Sequence, residues 1–208
     1  METITDKPME VLILETAERL FLAKGFASVS TVQIARECGC NQALVHYYFR
    51  TKENLFNTIF ESKFRLFFES IQLSQQEHNL NFIEKLTLII EKHFDLLLEN
   101  QQLPMLIFSE LLRKTENIEI LKNKLKNIPE KFLEVFNTEL QNEIKKGNIR
   151  EISILDLLIS MISLNIALFV AMPILKLVLG MDENQKTALL MHRRKEHVSF
   201  VLNSIIIK

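Results

Sequence analysis

Residues 41–50, NQALVHYYFR, bring two amides, a histidine and two adjacent tyrosines together with little formal charge. Helices that only pack a core seldom place so many polar tips side by side. The stretch is therefore either an irregular buried network, a polar face turned to water, or a surface for a partner that wants hydrogen-bond donors and flat rings. A nucleic-acid groove is such a partner. Glutamine or asparagine pairs with adenine N6 and N7, and an alanine methyl suits a thymine methyl. Tyrosine and histidine reach phosphate oxygens or base edges, all within a major groove about 12 Å wide.

Other chemistries find no footing. The chain has no nucleophile elbow with partner His and Asp, no glycine-rich phosphate loop and no metal-ligand cluster, so no catalytic residue, metal or cofactor is expected and the protein is read as a non-enzyme. Cys38 and Cys40 flank Gly39. Two thiols with no histidine at ligand spacing do not complete a zinc site, and they read as small apolar residues packing at a helix-turn.

The elements that must position 41–50 follow from capping and periodicity. Pro8 suits a helix start, Ile13, Ala17, Leu20 and Phe21 share one face, and Gly25 ends the helix. Ser30 or Thr31 caps a short second helix to Cys38 with Ile34 and Ala35 inward, and Asn41 caps a third to about Phe49. Two short helices joined by a glycine turn have the dimensions of a helix-turn-helix. Ala35 and Gly39 are read as the small residues that let those helices approach, with Val45 completing the contact. Gln42, Ala43, His46 and Tyr47 then face outward. Thr51 caps a fourth helix reaching about Gln76, and further helices are expected at 81–100, 103–115, 118–126, 129–146, 152–179 and 182–207. Only four glycines and four prolines in 208 residues also favour an all-α fold.

Lys52 adds a separate clue. It stands in the first turn of the fourth helix, where the macrodipole disfavours a cation by about 0.3–1 kcal/mol. An external anion such as a phosphate would compensate, and Arg50 at the junction could serve the same anion. Net charge gives no support: it is −1 overall, and acids slightly outnumber bases in residues 1–60. DNA contact must therefore rest on local placement.

The segment AERLFLAKGFASVSTVQIARECGCNQALVHYYFRTKENLF resembles the N-terminal domain of TetR-family transcriptional regulators. The first helix ending in Gly25-Phe26, the Ile34-Ala35 pair, Gly39, the aromatic run ending in Phe49, and Lys52-Glu53 before Leu55-Phe56 carry the resemblance. It implies a homodimeric repressor of operator DNA, released by a small effector bound in the C-terminal domain. Asn41 would lie at the exposed tip of a recognition helix carrying Gln42, Ala43, Leu44, His46, Tyr47 and Tyr48. Ser30, Thr31 and Lys52 would fall on phosphate-contacting positions. Leu44 stands where a small or hydroxyl residue is common, and either touches a thymine methyl or belongs to the core. His46 stands where tyrosine is commoner.

The resemblance fades beyond about residue 60. Leu157 to Leu175 carries no charge over nineteen residues, long enough to raise a membrane span. Ser160, Ser163, Asn165 and Pro173 interrupt it, and basic clusters do not flank it. Ser160, Ser163, Ala167 and Ala171 instead form a small-residue stripe that suits close approach of a second helix. The segments 152–179 and 182–207 are expected to pair with their symmetry mates as a four-helix bundle. His192-Arg193-Arg194-Lys195 reads as a solvated face or an ion-pair set. For the effector, Phe64, Phe67, Phe68, Phe82, Phe94, Phe108 and Phe169, with Met105 and Met161, supply apolar walls. His93 and Asn165 supply isolated polar groups. Core packing is the alternative for the same phenylalanines.

With no signal peptide and two cysteines, a cytoplasmic location is expected. The architecture read from the sequence is all-α: a helix-turn-helix DNA-binding domain (1–52) joined to a helical effector-binding and dimerisation domain (53–208). The second reading is a helical small-molecule-binding or membrane-associated sensor whose helix-turn-helix no longer reads DNA.

Overall fold

Pro8, which cannot donate a backbone hydrogen bond, precedes the first helix, and capping side chains open most of those that follow. A computed structural model describes residues 7–77, 80–113 and 130–207. Its helices are α1 (Met9–Lys24), α2 (Thr31–Cys38), α3 (Gln42–Phe49), α4 (Lys52–Glu77), α5 (Phe82–Glu99), α6 (Leu103–Arg113), α7 (Glu130–Lys145), α8 (Ile154–Val178) and α9 (Glu183–Ile205). The expected helix at 118–126 and the start of the one at 129–146 lie outside the described residues. The chain divides into two compact units, Met1–Leu66 and Phe67–Lys208. The division falls inside α4, whereas the sequence boundary at residue 52 marks where that helix begins.

In the first unit, α1, α2 and α3 pack on one another. Ile13, Ala17, Ile34 and Leu55 are fully enclosed, and Val45 is 1% exposed. Three rings lock the start of α4 to the end of α1, with Phe26 centroids 5.2 Å from Phe21 and 5.3 Å from Phe56. Ser30 is the cap of α2: the Gln33 amide donates to its Oγ at 3.1 Å. Asn41 caps α3 through the Leu44 amide at 2.9 Å, and Thr51 receives the Asn54 amide at 3.0 Å.

Two turns set these helices. Gly39 takes φ 73° and ψ 25°, and the Cys40 amide donates to the Ala35 carbonyl at 2.9 Å. A Cβ placed at Gly39 would meet nothing within 4 Å. The sequence reading of Gly39 as a close-approach residue is therefore corrected: the left-handed backbone demands glycine there. Between α3 and α4, Arg50 takes φ 64° and ψ −55° while the Thr51 amide donates to Phe49 at 2.6 Å. That is a γ-turn with positive φ, a strained form for a residue with a side chain.

In the second unit α5 is central, packing against α7, α8 and α9, while α6 packs against α8. A capping box of Asn81 and Glu84 opens α5, and one of Asp182 and Gln185 opens α9. The buried side chains form two clusters. One gathers Phe82, Leu86, Ile90, Phe136, Leu157 and Met161; the other gathers Phe94, Leu97, Phe169, Met172 and Leu190. Arg194 ties α9 to α5, its guanidinium bidentate on Asp95 at 2.7 and 2.8 Å and reaching Glu91 at 2.8 Å.

Candidate nucleic-acid interface and effector region

α3 is two turns long and is fixed on its inner side by Val45 and Phe49, 1% and 5% exposed. Its outer side carries Gln42, Ala43, His46 and Tyr47, all exposed. Tyr47 is 67% exposed and stacks edge-on against Tyr48 with centroids 5.2 Å apart. A large ring this open gains little from folding, which suits a residue whose burial awaits a partner. Leu44 is half-buried, between its two sequence readings. Thr31 Oγ1 accepts from Gln42 Nε2 at 3.1 Å, so the first turns of α2 and α3 share a polar link at the exposed edge. Val32 beside it is 57% exposed, a residue the sequence reading passed over because its position on α2 gave no polar signal.

Lys52 is arranged otherwise than expected. Its ammonium donates to the Phe26 carbonyl at 2.9 Å and the Val29 carbonyl at 2.8 Å, and sits 4.2 Å from the Phe26 ring centroid. Carbonyl oxygens and a π-face offset the macrodipole, so the argument that Lys52 needs an external anion is corrected. The cation pins the loop after α1 to the start of α4. Cys38 is buried, its thiol donating to Met9 Sδ at 3.9 Å, and burial with Cys40 beside it pushes it up to about 11. A thiol this hard to ionise behaves as packing. No cluster of three or more His, Cys, Asp or Glu suited to a metal occurs among the described residues.

In the second unit the structure links Phe67, His93 and Asn165, and separately Phe94 and Phe169, among the expected effector residues. Asn165, 1% exposed, donates from Nδ2 to the Ile90 carbonyl at 3.2 Å and to His93 Nδ1 at 3.1 Å. Its Oδ1 is hydrogen-bonded to His197 Nδ1. Phe67 meets the His93 ring edge-on with centroids 5.7 Å apart, and Phe94 meets Phe169 at 5.2 Å. Met161 and Phe169 lie one turn either side of Asn165, in different apolar clusters. Met105 and Phe108 instead are 50% and 53% exposed on α6. The side chains of Phe64 and Phe68 lie outside the described residues. Two clefts of about 530 and 440 Å³ open along α5, lined among others by Ile83 and Glu84, and of the expected effector residues Phe82 alone lines one of them.

His197, 2% exposed, was missed by the sequence reading. It shares a stripe with Leu190, Arg194, Val201 and Ile205, a helical spacing that marks it as inward-facing. Burial lowers both imidazoles to about 4; for His93 the neighbouring His197 adds to this, and for His197 the Arg193 charge does. Both rings are thus neutral near pH 7.

α8 carries a mean hydropathy of 2.3 over its most apolar window, with 22% of that window buried. Leu155, Ile159, Ile174 and Leu177 are exposed on it, as are Ser160, Ser163 and Ala167 of the small-residue stripe.

Comparison with known proteins covers both units. Residues 13–59 match the family model of bacterial regulatory proteins of the tetR family, and residues 60–172 match that of the YsiA-like protein C-terminal region. The chain is 28% identical over 145 residues to the fatty acid metabolism regulator protein of Bacillus subtilis, covering 70% of this chain and 73% of that one. It is 45% identical over 49 residues to the HTH-type transcriptional regulator YuxN of the same organism, covering 24% and 17%. Among solved structures, a Clostridium perfringens protein described as a candidate fatty acid metabolism regulator superposes with a TM-score of 0.71 at 24% identity, over 95% of this chain and all of that one. The fatty acid degradation regulator FadR of Bacillus halodurans superposes with 0.67 at 19% identity, over 93% and 96%. At these identities the superpositions establish the fold.

Proposed function

We propose, for a chain that belongs to the TetR family of bacterial transcriptional regulators, a cytoplasmic homodimeric repressor of genes of fatty acid metabolism, released from operator DNA by a mainly apolar effector. The observation that carries the DNA-binding part is the outer face of α3, where Gln42, Ala43, His46 and Tyr47 stand open on a helix fixed from behind. Asn41, Leu44 and Tyr48 flank that face, and Ser30, Thr31 and Lys52 are the phosphate-side candidates. Lys52 acts there chiefly by holding its loop. The metabolic assignment rests on the name of the B. subtilis relative. An effector shifts the protein only as far as it discriminates between DNA-bound and free states.

The test is fluorescence anisotropy with labelled duplex from the DNA flanking the gene, against a scrambled duplex, at two salt concentrations. Tight binding to the first alone, weakening with salt as phosphate contacts require, is expected. Tyr47→Ala should weaken that binding by about tenfold or more, the order of a lost base contact. Dimerisation should be untouched. Undiminished binding by the variant would place the recognition surface elsewhere.

The exposed apolar length of α8 also admits a membrane-associated sensor. Flotation of the purified protein with phospholipid vesicles distinguishes this second reading, since a dimer that covers α8 stays with the unbound fraction.

A further inference from the structure

The three-residue relay inside the second unit fixes its own proton positions. The Ile90 carbonyl can only accept, so the Asn165 amide nitrogen must face it, and the same nitrogen then donates to His93 Nδ1. Asn165 Oδ1 must accept, so His197 carries its proton on Nδ1. In the neutral ring Nε2 is then a bare lone pair. It is buried and has no hydrogen-bond partner among the described residues. The backbone carbonyl of Ser160 favours the protonated form of the ring. A buried lone pair without a donor is costly, and it asks for one.

We propose that His197 Nε2 receives the hydroxyl of an otherwise apolar ligand in the C-terminal unit, with Asn165 and His93 as the residues that hold its tautomer. The inference rests on the reading of this unit as the binder of a mainly apolar effector. The walls agree with it: Met161 and Ile90 belong to one apolar cluster and Phe94 and Phe169 to the other, with the relay between them. An ionised carboxylate is disfavoured. The imidazoles are neutral, and the half-buried Arg194, on the same face of α9, is already committed to Asp95 and Glu91. An ester carbonyl is disfavoured too, because it brings only another acceptor. A hydroxyl brings the missing proton.

The test uses the full-length protein at pH 7.5 without DNA, and compares dodecanol, methyl dodecanoate and dodecane by titration calorimetry. Dodecanol should bind about tenfold more tightly than the other two, the worth of one well-placed hydrogen bond. His197→Phe, which keeps the ring shape, should remove the preference. Should that variant fail to fold, nitrogen-15 NMR of the wild-type imidazoles answers the same question. The unprotonated Nε2 signal of His197 should move on adding dodecanol and stay on adding methyl dodecanoate. Equal affinity for the three probes, no binding of any, or a proton on Nε2 in the free protein would each overturn the proposal. Operator binding measured separately shows whether the regulator reading stands regardless.

Discussion

At the scale of single residues, backbone and proton positions decide more than side-chain type. Gly39 was legible in the sequence as a turn, but its reason was not, since spacing does not reveal φ. With φ at 73° and open space beyond its Cβ position, Gly39→Ala should cost about 1 kcal/mol in urea unfolding, and Gly39→Asn less, because asparagine tolerates the left-handed region. Were close approach the constraint, the bulkier asparagine would be the worse of the two. Lys52 repeats the lesson: its cation is legible at the start of α4, but the Phe26 and Val29 carbonyls it meets are not, because carbonyls supplied by a loop are invisible in a pattern. The histidines give a pH prediction with a definite sign. Their folded pKa, about 4, lies below the ordinary histidine value of 6.5, so the unfolded chain binds more protons as pH falls. Stability should be full above about pH 6.5 and decline toward pH 4. Melting temperature followed across that range should fall more steeply for the wild type than for a His93→Gln, His197→Gln double variant. Equal slopes would mean that other groups carry the acid sensitivity.

At the scale of elements, the helix ends were readable wherever a cap or glycine marks them, as at Ser30, Asn41, Thr51 and Gly39. The faces of the long helices were readable only in part. The last helix presents Leu189, Leu190, Val198, Val201, Leu202 and Ile205 as an apolar face, whereas Arg194 reads only as part of a solvated or ion-paired run and His197 gives no signal of its own. Their partners, Asn165 and the Glu91–Asp95 pair, lie on other helices, and no spacing rule reaches that far. Arg194 is the polar clasp between α9 and α5, with its side chain 27% exposed. Arg194→Met keeps much of the stem but strands two carboxylates that remain partly hydrated. The expected loss is about 1 kcal/mol, within the range of bidentate pairs near a surface. Chemical unfolding reads it directly, and the loss should shrink in high salt. A salt-independent loss would assign the effect to packing of the stem.

At the scale of the whole molecule, α8 poses the clearest question. A helix of such hydropathy that leaves Leu155, Ile159, Ile174 and Leu177 open needs a cover. In the proposed homodimer a second copy of the chain would supply one by two-fold symmetry, with Ser160, Ser163 and Ala167 admitting a close helix. Ala167→Glu puts a long charged side chain into that stripe without touching Leu157, Met161 or Phe169 on the buried face. Light scattering at micromolar concentration should then report a monomer of about half the wild-type mass, with helical content by circular dichroism unchanged. Operator affinity should fall together with dimerisation, because a palindromic site rewards two recognition helices held in one particle. A variant that stays dimeric and binds normally would move the interface off α8, whereas one that turns monomeric yet binds vesicles would favour the membrane as the cover that α8 seeks.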